Sequence, residues 1–309
     1  MRRPSQTTWR HVTDWAKRSP AMLRLAARLG RGQGRLRPLD HLTAPLPRPR
    51  FRPDLTGWDR HALAAIWIGH ATVLLRVGGL TILTDPVFST RIGLSLGLMT
   101  GGPRRYVAPA LSIAQLPQID LILISHAHFD HLDRPSLRQF SKQIPVIASA
   151  GVRDLIDDMG FKNVRELAWG ASTRFGDMHI TSREVRHWGA RTFFDSTRGF
   201  GAFLIESADA RVLFGGDSAY HELFTDVAPI DLAILGIGAY DPYIAAHATP
   251  EQALAMADHM RARRVLAMHH STFRLSHEPM NEPIARFRQA VGNDSARIVA
   301  SEIGGMYVR

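Results

Sequence analysis

The chain has 309 residues, of which 45% are hydrophobic and 21% charged, so it is long enough to bury one large core or two modest ones. Cysteine is absent, which excludes disulfides, thiolate metal ligands and a cysteine nucleophile. No apolar run approaches the roughly 18 residues of a membrane span, and the N-terminus lacks the apolar region of a secretory signal. These features predict a cytoplasmic protein.

The net charge of +10 is concentrated at the N-terminus. Residues 1–60 hold 14 lysines and arginines and 4 aspartates, whereas residues 61–309 are neutral overall. Met22, Leu25, Ala26 and Leu29 share one helical face opposite several arginines, which predicts a short basic amphipathic helix. The Pro- and Arg-rich stretch "RPLDHLTAPLPRPRFRP" then reads as an extended linker. We therefore predict a basic arm over 1–56 and a folded domain over 57–309.

The domain begins with three strand-like runs and continues with alternating strands and helices. "LAAIWI", "ATVLLRV" and "LTILTD" come first, and Gly78-Gly79 is a turn signal between the second and third. Seven further strands are predicted at "DLILIS", "IPVIAS", "HITSREV", "GAFLIE", "RVLFGG", "DLAILGIG" and "RRVLAM". Helices are predicted at "AGVRDLIDDMG" and "TPEQALAMADHMRA", where Thr249 and Gln252 form a capping box. This pattern predicts a layered α/β or α+β domain.

Metal-capable side chains follow three of these strands. "DLILIS" leads into "HAHFDH", while Asp217 follows "RVLFGG" and His269 follows "RRVLAM". Side chains just past strand ends cluster at one edge of a sheet, so the sequence predicts one shared site. Isolated histidines such as His179, His221 and His259 are interpreted as ordinary polar residues.

The chemistry of this set indicates divalent metal ions. Imidazole and carboxylate suit zinc, with manganese or iron as alternatives, and a His-x-His pair can offer two nitrogens to one ion. Asp130 and His131 can then bind a second ion, and a carboxylate such as Asp217 can bridge the two. Two ions about 3.5 to 4 Å apart can hold and deprotonate a water molecule between them. We therefore predict two divalent cofactor ions.

The motif "HAHFDH" resembles the His-x-His-x-Asp-His signature of the metallo-β-lactamase superfamily, whose fold is a four-layer αββα sandwich. Within that superfamily, the chain is similar to the phospholipases D that hydrolyse N-acylphosphatidylethanolamine and to their bacterial relatives. The similar segments run from Trp67 to Phe273 and include "WIGHATVLL", "LTDPVFS", "VRHW", "FGGDSAY" and "AMHHSTF". The resemblance implies a four-layer αββα hydrolase domain, which would follow the basic arm that the charge distribution predicts.

The resemblance also implies a ligand set. It gives one ion to His126, His128 and His187, gives the other ion to Asp130, His131 and His269, and makes Asp217 the bridge. His187 is identified by the resemblance alone. At "MHH" the family pattern favours His269, and extended backbone would point His270 to the opposite side. His270 stands where the animal enzyme is expected to have tryptophan, which alters the pocket wall.

Further residues are implied to act around the ions. Asp85 of "TDP" resembles an aspartate that hydrogen-bonds a ligating imidazole, the alternative being a turn cap before Pro86. His247 resembles a histidine near the reacting group, where it would orient phosphate or protonate a leaving oxygen; otherwise it is a polar residue upstream of the Thr249 cap. Asp130 and His247 are thus the candidate catalytic residues. For His70 a structural hydrogen bond is expected.

The expected reaction is attack by a metal-bound hydroxide on a phosphodiester of a phospholipid. Alternatives are the esters or lactones of a lactonase, such as acyl homoserine lactones, and the phosphodiesters of nucleic acid. The segment Arg91–Tyr106 is expected to line an acyl groove, with Arg104 and Arg105 meeting phosphate. The arm is expected to place the enzyme at an anionic membrane surface, and docking of its helix on the domain is the competing interpretation. Nucleic acid is not favoured as a partner, and an oligomer is left open.

Overall fold

The computed structural model of the protein describes residues 45–96, 99–192, 195 and 197–309. Its first sheet contains β1 (Leu63–Gly69), β2 (Thr72–Val77), β3 (Leu80–Thr84), β6 (Leu121–Ile124), β7 (Val146–Ser149), β8 (Val164–Leu167) and β15 (Met306–Val308). The second contains β9 (Ser172–Phe175), β10 (Met178–Arg183), β11 (Ala202–Glu206), β12 (Arg211–Phe214), β13 (Leu232–Gly236) and β14 (Arg264–Met268). A separate hairpin pairs β4 (Leu94–Leu96) with β5 (Met99–Gly101). The α-helices are α1 (Arg134–Leu137), α2 (Asp154–Asp157), α3 (Pro250–His259) and α4 (Glu282–Val291).

The two sheets pack face to face and carry helices on their outer faces. Because side chains alternate along a strand, β1 sends Ala65 and Trp67 into the core between the sheets and Ile66 into the outer core with α1 and α2. The second sheet buries its outer face against α3 and α4, which contribute Met256 and Phe287. The order of layers is therefore αββα, which confirms the fold implied by the resemblance.

Strand direction brings one edge of both sheets together as a site. The first sheet has the order β15-β1-β2-β3-β6-β7-β8, with β3, β6, β7 and β8 parallel to one another. The second has the order β14-β13-β12-β11-β10-β9, with β12, β13 and β14 parallel. The carboxyl ends of β6, β12 and β14, each followed by predicted ligands, can therefore meet.

The ten predicted strands are present, and the prediction missed some short or exposed elements. β8, β9 and β15 have three or four residues each and were not anticipated, nor was α4. The predicted helix "AGVRDLIDDMG" is reduced to the four residues of α2, which lie between Gly151 and Gly160, both at positive φ. The Thr249 capping box and Pro250 begin α3 as expected.

The end of the predicted linker lies against the domain. Residues 45–55 contain no helix or strand, and the backbone carbonyl of Pro47 accepts a hydrogen bond from the Ala108 amide at 2.8 Å. Gly304, at φ +89°, approaches so closely that a Cβ there would lie 2.1 Å from the Phe51 carbonyl oxygen. The amphipathic helix and the rest of residues 1–44 lie outside the described residues, so the arm and its boundary remain predictions. In the described ranges no helix combines the length and apolarity needed to cross a membrane.

Candidate metal centre

The site is built from segments that leave the ends of buried strands. The loop after β6 carries "HAHFDH", while β12 is followed by Gly215, Gly216 and Asp217, and β14 by His269. Gly216 has a φ of +57°, and a Cβ there would lie 2.9 Å from both the Gly201 carbonyl oxygen and the Ser125 Cβ. A glycine at this position therefore lets the chain pass close to β6 and deliver Asp217 to the sheet edge.

The first group of ligand atoms comprises His126, His128, His187 and Asp217. The His128 Nδ1 lies 2.8 Å from the His126 Nε2 and 3.2 Å from the His187 Nε2. The His187 Nδ1 is 3.0 Å from the Ala246 carbonyl oxygen, which only accepts, so Nδ1 carries the proton and the Nε2 lone pair faces the group. The four predicted ligands of this half of the site are thus together.

The second group comprises His70, Asp130, His131 and His269. The Asp130 Oδ2 lies 2.9 Å from the His70 Nε2, 3.3 Å from the His269 Nε2 and 3.6 Å from the His131 Nε2. This group contains the three predicted residues of the second half. It also contains His70, for which only a structural hydrogen bond was expected.

Asp217 lies between the two groups. Its Oδ2 is 3.1 Å from the Nε2 atoms of His131 and His269, and 3.8 Å from the His187 Nε2. The side chain is almost fully buried. A carboxylate in this position can serve both halves of the site, as the sequence predicted for it.

His70 follows β1, so the same strand-end signal that located the other residues also pointed to it. Its backbone N–H donates to the Thr272 Oγ1 at 2.8 Å, and its side chain is buried. Because a carboxylate can only accept, the 2.9 Å contact with Asp130 places the proton on the His70 Nε2. His70 therefore orients the Asp130 carboxylate.

The residues present fit divalent cations. The Nε2 atoms of His131 and His269 and the Oδ1 of Asp217 are buried and make no hydrogen bond within the described part of the chain. In the first group three ring nitrogens face one another at 2.8 to 3.2 Å. Buried polar atoms without partners are costly, and a cation between them would satisfy the lone pairs together. Nitrogen and carboxylate donors of this kind suit zinc, iron or manganese.

Electrostatics keep the carboxylates charged. Burial opposes ionisation of Asp217, but nearby His131 and His269 outweigh it and hold the pKa of Asp217 well below its ordinary value. Burial likewise opposes ionisation of Asp130, but His131, His269 and His70 together outweigh it, so the pKa of Asp130 is also held low. Burial and neighbouring His187 lower the pKa of His128 to about 3. The carboxylates and His128 are therefore in the forms that bind metal. Burial opposes protonation of His269, but Asp217 outweighs it and raises the pKa of His269 to about 9, so His269 must release a proton when a metal binds.

Asp85 makes the hydrogen bond that the resemblance implied. Its Oδ2 lies 2.7 Å from the His131 Nδ1 and accepts from the Ser125 Oγ at 2.6 Å, while its Oδ1 accepts from the Ser125 amide at 2.7 Å. All three residues are buried. The contact fixes the proton of His131 on Nδ1 and turns the Nε2 lone pair toward Asp217.

His269 and His270 separate as predicted, although for a different reason. His269 joins the ligand groups, whereas the His270 ring packs on Trp67 with ring centroids 4.5 Å apart and its Nδ1 lies 2.8 Å from the Ser271 Oγ. The prediction assumed extended backbone, but His269 has a φ of +63°. The turn at the end of β14, rather than the pleat of a strand, divides the two side chains.

His247 also reaches the site. Its Nδ1 lies 3.8 Å from the Asp217 Oδ2, and it forms a third group of ligand atoms with Asp217 and His269. Its side chain keeps 14% of its surface exposed, more than the 2% of Asp217. His247 thus occupies the open side of the centre. His179, His221 and His259 belong to none of the ligand groups found among the described residues.

The expectation that Arg105 meets phosphate is wrong. Arg105 is buried, donates to the carbonyl oxygens of Val87 and Ser89, and stacks its guanidinium on Phe273 at 4.9 Å. Its Nε and Nη2 groups donate to backbone oxygens because burial leaves these donors no water to bind. It stabilises the base of the β4–β5 segment.

The sequence prediction missed Arg191, which supports the "HAHFDH" loop. Its guanidinium donates to the carbonyl oxygens of Ala127 at 2.9 Å and Leu132 at 2.6 Å. It also stacks on Phe129, with 3.8 Å between the guanidinium carbon and the ring centroid. An arginine 59 residues beyond the loop gives no local sequence signal, so only the folded chain reveals this role.

Comparison with known proteins agrees with this geometry. The profile of the "Beta-lactamase superfamily domain" matches residues 81–270. An uncharacterized protein of Mycobacterium tuberculosis is 32% identical over 259 residues, which cover 79% of this chain and 68% of that protein. N-acyl-phosphatidylethanolamine-hydrolyzing phospholipase D 1 of Caenorhabditis elegans is 29% identical over 71% of this chain and 68% of its own length. The mitochondrial phospholipase D of the same name in Saccharomyces cerevisiae is 33% identical over 70% of this chain and 49% of its own length.

Solved structures show the same fold at lower identity. A possible metal-dependent hydrolase from Veillonella parvula superposes with a TM-score of 0.64 at 19% identity, covering 81% of this chain and 100% of that chain. CmlA, a diiron beta-hydroxylase from Streptomyces venezuelae, gives 0.57 at 20% identity over 77% of this chain and 52% of that chain. The chain therefore belongs to the beta-lactamase superfamily, has the metallo-β-lactamase fold, and is similar to the phospholipases D that hydrolyse N-acylphosphatidylethanolamine.

Proposed function

We propose that this metal-dependent hydrolase binds two divalent ions, with zinc as the expected metal, and cleaves the phosphodiester bond of N-acylphosphatidylethanolamine-like lipids. The observation that carries the proposal is the pair of ligand groups with Asp217 between them. Seven donors are too many for one tetrahedral ion, because a catalytic site must leave a coordination position open. With two ions, each ion would have an ordinary number of protein ligands.

The proposed ligand sets follow the two groups. His126, His128 and His187 hold one ion, Asp130, His131 and His269 hold the other, and Asp217 contributes to both. Bound ions of this kind lower the pKa of a water molecule and stabilise charge that develops on a substrate oxygen. Asp130, whose Oδ2 accepts from the His70 Nε2, would also accept a hydrogen bond from the reacting water. Asp85 fixes the tautomer of His131.

His247 is proposed to orient the substrate phosphate. It lies on the more exposed side of the centre, 3.8 Å from Asp217, where a substrate phosphate can reach it. Burial holds the pKa of His247 well below its ordinary value, so the ring is neutral and donates an N–H hydrogen bond to a phosphoryl oxygen. A water molecule activated in the same site can attack a carbonyl carbon instead of phosphorus, so lactones and esters are the alternative substrates. Similarity to two phospholipases D favours the phospholipid.

The direct test is a measurement of metal content together with hydrolysis. Purified protein is loaded with zinc, analysed for metal per chain, and assayed on N-acylphosphatidylethanolamine, an acyl homoserine lactone and RNA under the same conditions. We expect close to two ions per chain and fastest turnover of the phospholipid. A single ion at full activity would remove the dinuclear assignment, and faster turnover of the lactone or of RNA would replace the substrate.

Two histidine variants test the ligand assignment. His128→Ala removes a proposed ligand and is expected to reduce turnover by several orders of magnitude while the domain stays folded. His270→Ala is the matched control, because His270 is a histidine that lies beside the proposed ligand His269 but packs on Trp67. We expect it to keep both ions and most of the activity. Similar losses in the two variants would contradict the assignment.

The basic arm is proposed to attach the enzyme to anionic membrane. Residues 1–60 carry the whole charge excess, and each basic residue near such a surface contributes about 1 kcal/mol. Deletion of residues 1–44 is expected to leave turnover of a soluble short-chain phosphodiester intact and to weaken salt-sensitive binding to anionic vesicles. Loss of soluble turnover together with vesicle binding would mean that the arm is part of the folded domain.

A further inference from the structure

A basic cavity lies at the edge of the second sheet opposite to the metal centre. It has a volume of about 500 Å³ and is lined by five arginines: Arg261, Arg263, Arg264, Arg297 and Arg309. Arg264 is the first residue of β14, whereas His269 follows its last. At roughly 3.3 Å per strand residue, the two ends of this strand segment are about 16 Å apart. The cavity is therefore separate from the metal centre.

The positive charge of the cavity is only partly neutralised. Two aspartates line it, Asp231 and Asp294. Asp231 already accepts from the Arg309 guanidinium at 2.5 Å and from the Arg211 amide at 2.9 Å. Arg297 forms an ion pair outside the lining, with Asp258 at 2.5 Å. The remaining arginines keep donors for a further acceptor.

Two arginines are best placed to receive a ligand. Arg261 has no carboxylate within 4 Å in the described ranges of the chain, and Arg263 comes no closer than 3.8 Å to Asp231 with 72% of its side chain exposed. Arg261 is held at a φ of +47° by the turn that ends α3. Because residues 61–309 are neutral overall, this concentration of arginine is a local feature of the surface.

We infer that the cavity binds a phosphomonoester dianion of small-molecule size. A single carboxylate is satisfied by one guanidinium fork, whereas a tetrahedral dianion offers several oxygens to several arginines at once. The volume lies within the 300 to 1,000 Å³ that is typical of small-molecule sites. Tyr307 and the aspartates of the wall can contact the organic part and its hydroxyl groups. The phosphomonoester can belong to a soluble metabolite or to a lipid head group.

Calorimetric titration of the full, zinc-loaded chain tests the inference. The probes are glycerol 3-phosphate, inorganic phosphate, and phosphatidylcholine vesicles with and without phosphatidate. In Arg261→Gln/Arg263→Gln we expect at least a tenfold weaker affinity for glycerol 3-phosphate in one class of site. The charge-matched control is Arg60→Gln/Arg174→Gln, which removes two exposed arginines elsewhere and should leave that class unchanged. The control accounts for anions bound by the arm or the metal centre.

The remaining outcomes are also decisive. Arg261→Lys/Arg263→Lys keeps the charge but loses the planar fork, so an intermediate affinity supports recognition by guanidinium. A loss seen only with phosphatidate vesicles supports the same chemistry and assigns it to a lipid head group. Identical isotherms for the cavity variant and its control with glycerol 3-phosphate and with phosphatidate vesicles alike, or no site beyond those at the metal centre and arm, would overturn the inference. Matching thermal melts establish that each variant is folded.

Discussion

The substitution Asp85→Asn isolates the effect of the tautomer of His131. In the native site the Asp85 Oδ1 accepts from the Ser125 amide at 2.7 Å, and Oδ2 accepts from the His131 Nδ1 at 2.7 Å. The Ser125 amide can only donate, so the remaining oxygen of the variant must stay opposite it. The new amide group then faces the His131 Nδ1, which has to become an acceptor. The proton moves to Nε2, the atom that lies 3.1 Å from Asp217.

The expected size of the effect follows from the loss of one metal-ligand lone pair. Groups that orient a metal-binding imidazole are worth about 10- to 100-fold in metal affinity, which corresponds to about 1.4 to 2.7 kcal/mol. The affected ion is the one assigned to Asp130, His131 and His269. The ion assigned to His126, His128 and His187 should keep most of its affinity, since Asp85 reaches only His126 among those rings, and only through the Ser125 Oγ, which lies 2.9 Å from the His126 Nδ1.

Zinc titration against a chromogenic chelator measures both affinities. Asp133→Asn is the matched control, because Asp133 is also buried and accepts from serine hydroxyls, those of Ser89 at 2.6 Å and Ser136, but contacts none of the ligand groups. Both variants should lose stability from the disturbed hydrogen bonds, and only Asp85→Asn should weaken one zinc site. Equal zinc affinities in the two variants would refute the tautomer argument.

The other predictions concern the ligand loop, the bound ions and the contact between α3 and α4. Arg191→Met should lower the free energy of unfolding in urea by about 3 kcal/mol and weaken zinc binding, because charged hydrogen bonds to the loop are lost; unchanged zinc affinity would contradict this. Chelation should lower the Tm and zinc should restore it, since a hundredfold excess over the Kd stabilises by about 2.7 kcal/mol; an unmoved Tm would argue against a metal site. Hydrogen bonding to Arg286 lowers the pKa of Glu251 to about 2 from 4.5, so this pair stabilises above pH 4.5 and the effect is lost as pH falls toward 2. Glu251→Gln should therefore be less stable at pH 7 by about 0.5 kcal/mol, with denaturation curves that merge near pH 2; a difference that persists there would contradict the ion pair.

The strand-end rule located most of the site because the strands that precede its residues end at the same edge of the two sheets. Asp217 and His269 follow parallel strands of one sheet, and "HAHFDH" follows a strand of the other. The order of strands and polar residues in the sequence was therefore enough to predict that these side chains meet. His187 needed the resemblance, although it comes four residues after β10. β10 is antiparallel to β11, and β11 to β12, so β10 points to the same edge as β12. Strand pairing of this kind is not visible in a sequence.

Side-chain contacts across the fold were harder to predict. Arg104 and Arg105 were both expected to meet phosphate, but the buried position of Arg105 depends on the fold around Val87 and Phe273. Arg191 lies in a loop remote in sequence from the carbonyl oxygens it binds. A single sequence records residue types and spacing, whereas these roles are set by long-range packing that the spacing does not encode.

Backbone strain at the metal centre indicates a site that is formed before the ions bind. His70, Asp85 and His269 have φ values of +56°, +32° and +63°, and conformations of this kind cost about 1 to 3 kcal/mol each. Each follows a strand, β1, β3 or β14, that is almost wholly buried. The strands hold these residues in place because repacking the core would cost more than the strain. The chelated protein should therefore stay folded and unfold cooperatively at a lower temperature. A domain that depends on metal to fold would instead lose its fold on chelation.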